Sequence, residues 1–424
     1  MNSYLMALFT FVWLSFFASC AHLRSTPYEA STPEGFEGVV ASDETPSKKK
    51  VSLKASDLLV ADNQSLEVPA SLTSDQIQVD IATLVYALTT GYGGRNYVAR
   101  STFENAIHQL QSIDQSMTPS DFRDKIDAAL WLIPDNHLKA RLNGEHALAR
   151  KAALAPIFIG RNAITDPTKT WEVRVDQVGK KRVLYISITA FPSHEDAVWN
   201  GFLEAVQKHL RDTDSMVLDL RGNGGGDDTF GYKLAELAFG GPFNHPIRRA
   251  YVSQTPETIA LASNVYRLQA LRLKKKAEPV PEYFEKLYQQ QIEKFQLASS
   301  GRLPESTVVD EPTGHYKFNS KKGYSKTTFI LIDHGCGSSC ESTTDAFETN
   351  PWVKKVGVNT IGMIHFGDVG ALLLPNSKIH VQISTKVNEY FDKRFIEKVG
   401  IKPHVEVPVG TDAYQFVKTM LLHR

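Results

Sequence analysis

Hydrophobic positions follow a helical rhythm from Thr73 onward. Ile77, Ile81, Leu84, Val85 and Leu88 recur at intervals of three and four, with Val79 near the same stripe, which predicts an amphipathic helix. Ser101 is placed to cap a second helix over FENAIHQLQSI. Ser120 is placed to cap a third, with Phe122, Ile126 and Leu130 on one face. The rhythm then changes. Trp171 to Val175 alternates, Gly179-Lys180-Lys181 reads as a turn, and Val183 to Ile188 forms an apolar run, the mark of paired strands. A helix over GFLEAVQKHLRD leads to the strand SMVLDL, the loop Arg221-Gly222-Asn223-Gly224-Gly225-Gly226 and a helix over Lys233 to Ala238. Residues 252–310 interrupt with two long amphipathic helices joined through Pro279-Val280-Pro281. They read as a helical insertion, either a lid or substrate wall or a hairpin packed for stability. The strand Thr327 to Asp333, the loop His334 to Ser338 and a helix from Ser339 to Thr349 follow. Val353 to Val358, Lys378 to Ser384 and Val405 to Val409 are expected to close the sheet. Alternation of strands and helices predicts an α/β core.

Composition narrows the function classes. With 42% apolar and 22% charged residues, the chain is neither collagen-like nor a coiled coil nor wholly disordered. Lys and Arg number 47, as do Asp and Glu, so the basic excess of a nucleic-acid binder is missing. Three cysteines are too few for a disulfide scaffold. Leu5 to Ala18 is almost wholly apolar, too short for a comfortable membrane span and suited to the apolar region of a signal peptide. It ends Phe17-Ala18-Ser19-Cys20, which resembles a bacterial lipobox except for Phe17 in place of an aliphatic residue. The alternative is an ordinary secretory signal. Both imply export; the lipobox reading places the protein in the cell envelope, with membrane association only through a lipid on Cys20. The expected organisation is a signal peptide (1–20), a flexible tether rich in Ser, Thr, Pro, Glu and Lys (21–72), a helical domain (73–148) and an α/β core (149–424).

Two loops lie where α/β folds place ligands, just past the carboxyl ends of apolar strands. RGNGGG lacks both the P-loop ending and the spaced dinucleotide fingerprint. Its glycines offer bare backbone N–H groups to an anion such as an oxyanion, or simply make a tight turn. In GCGSSCE, small residues surround Ser338 at a strand–turn–helix junction. That arrangement exposes a hydroxyl for nucleophilic attack, or serves as a plain helix cap.

Together, LYISITAF, VLDLRGNGGG, the Gly335, Ser338 and Glu341 spacing and VGVNTIG resemble the C-terminal processing (tail-specific) protease family over about residues 75–424. The resemblance implies a crotonase-like ββα catalytic core, peptide substrates and no metal or organic cofactor. It implies Ser338 as nucleophile. The branch with a lysine base has that lysine about where Met363 stands, and a thioether accepts no proton. The tricorn-like branch uses histidine and glutamate instead. Its motifs match Leu132-Ile133-Pro134-Asp135-Asn136-His137 and Glu397-Lys398-Val399-Gly400-Ile401-Lys402-Pro403. The implied constellation is Ser338, His137 and Glu397, with Glu397 expected on the far side of the imidazole. Backbone N–H groups of Gly225 and Ser339 are expected to form the oxyanion hole. Asn136 stands where that branch has a serine linking histidine to carboxylate. His334 and His365 are rival histidines near the loops.

Cys336 and Cys340 flank Ser338, and either a disulfide or two small residues in a tight loop fits their spacing. Only 46 residues separate His137 from Val183, too few for the peptide-binding PDZ domain that many family members carry. The main expectation is an exported serine endopeptidase. The alternatives are a catalytically inactive relative that binds peptide or envelope partners, and an unrelated hydrolase such as an esterase.

Overall fold

The computed structural model describes residues 52–147, 150, 159–160, 162–164, 166, 169–192, 199, 201–241, 246–312 and 323–423. Cys20, the signal segment and the expected tether up to residue 51 lie outside the described residues.

Three helices come first: α1 (Ser74–Thr90), α2 (Arg100–Gln111) and α3 (Pro119–Leu130). Thr73 and Gln76 cap α1 reciprocally, side chain to backbone in both directions. Ile77, Ile81, Leu84 and Leu88 are buried as their spacing predicts, whereas Val79 is exposed. Ser101 lies inside α2 rather than at its cap, which is Ala99. The cap of α3 is Thr118, not Ser120, because Pro119 takes the first helical position with its φ already suited to it. From residue 52 the expected tether is packed. Leu58, Val60 and Leu72 are buried, and Val60 N donates to Asn264 Oδ1 at 2.8 Å. Its few apolar residues lack a period, so their burial leaves no local signature.

The strands and remaining helices are β1 (Lys139–Leu142), β2 (Glu145–His146), β3 (Trp171–Val178), β4 (Lys181–Ile188), α4 (Phe202–Leu210), β5 (Ser215–Asp219), α5 (Asp228–Phe239), β6 (Arg248–Ser253), α6 (Pro256–Lys275), α7 (Glu282–Ser299), β7 (Ser306–Glu311), β8 (Thr328–Ile332), α8 (Ser339–Glu348), β9 (Val353–Gly357), β10 (Phe366–Leu373), β11 (His380–Tyr390), β12 (Val405–Glu406) and α9 (Ala413–Leu422). They build a mixed α/β fold with two sheets. The first has the order β12-β9-β8-β5-β4-β3, parallel except for the β3–β4 hairpin. The second has the order β2-β1-β11-β6-β7, with β10 also paired to β11, and is antiparallel. Lys378 to Ser384 therefore does not close the first sheet; most of it belongs to β11 in the second. Strand partnership is non-local, and a local pattern does not report it.

α1, α2 and α3 share one hydrophobic core with β10, β11 and the start of α6, including Leu84, Phe122, Leu261 and Val381. In the 252–310 segment, α6 buries Ile259, Leu261 and Leu268, while α7 buries no residue fully. The first helix of the hairpin is thus a core element and the second an outer layer.

Candidate active site

Adjacent parallel strands β5 and β8 deliver the two loops to one sheet edge, with Asp219 in register with Leu331. Asp333, just past β8, ties them together. Its Oδ1 accepts Gly222 N at 2.8 Å and Gly335 N at 2.9 Å. Gly337 N donates to Asn223 O at 3.1 Å. Ser338 sits at the cap position of α8 with φ 55° and ψ −120°, a sparsely populated conformation for a residue with a Cβ. Its side chain makes no cap bond. The hydroxyl points instead at His137, with Nε2···Oγ 3.3 Å. Cys336 and Cys340 are joined in a disulfide, Cα atoms 5.4 Å apart, which closes the turn around Ser338.

His137 follows α3 and precedes β1. Asp135 Oδ1 accepts His137 N at 2.8 Å and Leu138 N at 3.2 Å, fixing the backbone that presents the ring. Burial, then the positive charges of Lys139 and Lys386, brings the imidazole from 6.5 down to about 3, while the Phe366 backbone works weakly the other way. The ring is therefore neutral at ordinary pH, with a lone pair on one nitrogen. The second ring nitrogen, Nδ1, is buried and without a hydrogen-bond partner among the described residues.

Glu397 makes no hydrogen bond to the imidazole. Its Oε1 accepts Asn136 N at 2.8 Å, and its Oε2 accepts Ile364 N at 3.2 Å and His365 N at 3.0 Å. Asn136 Nδ2 donates to Gly362 O at 2.7 Å, so the Asn136 side chain bonds the 361–365 segment directly while its backbone N–H reaches that segment only through Glu397. Asn136 has taken the place of the expected serine, and its backbone N–H meets the carboxylate first. Glu397 thus bonds the backbone of the residue before His137 rather than the ring. Burial, then the neighbouring carboxyl of Asp135, pushes its pKa well up.

Gly225 also departs from expectation. Its N–H donates to Asn223 Oδ1 at 2.9 Å, so in this conformation it is not aimed at an oxyanion. What Gly225 supplies is clearance: at φ +109°, a Cβ there would lie 2.8 Å from Ser338 Cβ. Ser339 opens α8, where N–H groups lack intrahelical acceptors. His365 is a structural residue, with Nδ1 against Asn388 O and Nε2 accepting Ile396 N, each at 3.0 Å. Met363 is buried behind the serine loop, and Lys139 Nζ lies 3.8 Å from its Sδ. Glu341, one turn into α8, accepts Thr360 Oγ1, Gly362 N and Met363 N; burial raises its carboxyl to about 7.

The positioning role of Asp135, the Asn223 bond and the presence of Lys139 were not drawn from the sequence. A cleft of about 710 Å³ opens beside Ser338 and His137, walled by Asp227, Tyr232, Tyr266 and Asp368. Among the described residues no group of three or more His, Cys, Asp or Glu side chains is gathered that could hold a metal ion. No helix among them is long and apolar enough to cross a membrane.

Comparison with known proteins adds the following. The model of peptidase family S41 matches residues 182–407. The fold is similar to mature CPAF complexed with lactacystin (14% identity, 82% of this chain and 97% of that chain covered, TM-score 0.53). It is similar also to mature CPAF alone (13% identity, 82% and 96% covered, TM-score 0.52). The chain matches no curated protein by sequence.

Proposed function

The chain belongs to peptidase family S41, and from that premise we propose that it is an exported serine endopeptidase acting on envelope or extracellular proteins through Ser338 and His137. The observation that carries the reading is the 3.3 Å approach of His137 Nε2 to Ser338 Oγ, between residues 201 positions apart. A productive contact is about 2.6–3.2 Å, and resting sites are commonly looser.

A serine hydroxyl needs a neighbouring base to attack at neutral pH. Neutral His137 takes the Ser338 proton as Oγ bonds to the scissile carbonyl carbon. The carbonyl oxygen becomes an oxyanion, for which Ser339 N–H is the available donor at the helix start; such donors contribute about 2.7–4 kcal/mol. The imidazolium returns the proton to the leaving amine, and the acyl-serine is hydrolysed by the reverse sequence with water. Asp135 and Glu397 are positioning residues, since both hold the backbone on either side of Asn136. The Cys336–Cys340 bridge suits an oxidising compartment and supports export, with Cys20 as the proposed lipid attachment point.

The test is casein hydrolysis by purified protein together with labelling by a serine-directed fluorophosphonate. Label on Ser338 and loss of hydrolysis in Ser338→Ala are expected. Wild-type hydrolysis by Ser338→Ala would sink the assignment. One observation favours the second reading, a peptide-binding relative without turnover: among the described residues no carboxylate is hydrogen-bonded to His137 Nδ1 to stabilise an imidazolium. An inert, unlabelled wild type would select it.

A further inference from the structure

A buried amine that forms no ion pair among the described residues follows the general base by two positions in the chain. Lys139 is 6% exposed. Among the described residues its Nζ has one hydrogen-bond acceptor, the Met363 thioether at 3.8 Å, and it takes part in no ion pair. Lys386, which also acts on His137, is different. It is held by Glu311 at 3.0 Å and Asp368 at 3.3 Å and stays charged. Of the charged groups acting on the His137 ring, Lys139 acts most strongly. The other charged groups around Lys139 are Arg141 on its own strand, His146 on β2, Asp127 of α3 with its partner Arg150, and Asp135 in the loop before it. Burial first, then Arg141 and Arg150, brings the Lys139 amine from 10.5 down to about 7, against the pull of Asp135 and Asp127.

We propose that Lys139 is an electrostatic gate on the Ser338–His137 pair: as a neutral amine it lets the imidazolium form, and as an ammonium it suppresses it. Acyl transfer requires a positive charge on His137 at the moment Oγ attacks. A second positive charge in the same poorly solvated pocket raises the energy of that state. The Met363 thioether receives one amine hydrogen and brings no compensating negative charge. The residue where other family members have a lysine thus faces a lysine supplied from a different strand, which acts through His137. Lys139 is a positioning residue in this sense. The inference rests on the serine-peptidase reading above.

The pH dependence of kcat/KM on a labelled casein peptide tests it. Wild type should lose activity with an acid limb near pH 7, well above the value at which His137 itself protonates. Lys139→Met should fold, keep activity at pH 8 and move that limb at least about two units lower. Glu341 also titrates near 7 and is untouched by this change, so a limb that stays put would overturn the gate. Lys139→Arg, charged at every pH, should lose at least about tenfold throughout, the effect of one unit of altered basicity. A folded Lys139→Met without turnover at any pH would make the amine itself the proton acceptor and would also overturn the gate. Should Lys139→Met not fold, ε-carbon-labelled lysine resonances of wild type decide. One titrating near 7 while exposed lysines titrate near roughly 10.4 supports the gate, and none below about 9 overturns it. If fluorophosphonate fails to label Ser338 in wild type, the serine-peptidase reading itself is lost and the gate with it, a result distinct from a labelled enzyme whose acid limb ignores Lys139.

Discussion

Ser338 and His137 meet because each is held by its immediate neighbours. Ser338 stands in a left-handed conformation at a helix start, and His137 is aimed by the two N–H groups that Asp135 accepts. Burial of His137 has a consequence for stability. The unfolded chain takes up a proton near 6.5, whereas the folded site refuses it until about 3. The unfolded state therefore binds more protons in this window, and stability present above 6.5 is lost as pH falls toward 3. Urea unfolding of wild type and His137→Gln at pH 7 and pH 4 should show the wild-type advantage shrinking by about 3 kcal/mol, the linkage value for a window of that width; parallel behaviour would refute it. Glu397 offers two acceptor oxygens to three backbone N–H groups. Glu397→Gln replaces one acceptor by a donor facing donors. The expected result is a loss of about 1–3 kcal/mol in thermal or urea unfolding, with a lower kcat as the Asn136–His137 loop loosens and little change in KM.

The strand–turn–helix around Ser338 and the glycine loop beside it form one mechanical unit. Asp333 bonds both loops, and the Cys336–Cys340 bridge closes the serine turn. So short a closed loop is worth about 2 kcal/mol on the chain-entropy account. The double variant Cys336→Ser, Cys340→Ser should lose about that much in denaturant unfolding, and it should lose more in kcat than in KM, because the strained Ser338 conformation is released. An unchanged kcat would show that the hydrogen bonds of the turn suffice. At this level the sequence was largely readable: the apolar stripes of α1 and α3 and the runs of β4, β5 and β8 lie where their periods place them. The caps of α2 and α3 each lie two residues before the serines that the pattern picks out. A serine in either position satisfies a cap pattern, and only Pro119 at the first helical position decides the second case.

Across the molecule, the site gathers residues from 137, 225, 338 and 397, brought together by two sheets and a helical layer that shares its core with one of them. If export and lipidation at Cys20 are correct, Cys20→Ser should abolish incorporation of labelled fatty acid and release the protein from membranes with its hydrolytic activity intact; retention without any lipid label would refute the anchor. The motifs around His137, Ser338 and Glu397 pointed to the family from the sequence alone and singled out a histidine and a serine that lie 3.3 Å apart, because those spacings reflect local backbone demands: a serine at a helix start, a histidine after an Asp-Asn turn, a glutamate before a Gly and a Pro. What only the tertiary structure decided was partnership across the fold. Glu397 meets the backbone of Asn136 rather than the imidazole, Gly225 gives its N–H to Asn223, β11 pairs in the second sheet, and Lys139 lies under Met363. Each depends on which of several nearby donors or strands reaches an acceptor first, and that distance is set by packing between segments far apart in the chain, which local periodicity does not encode.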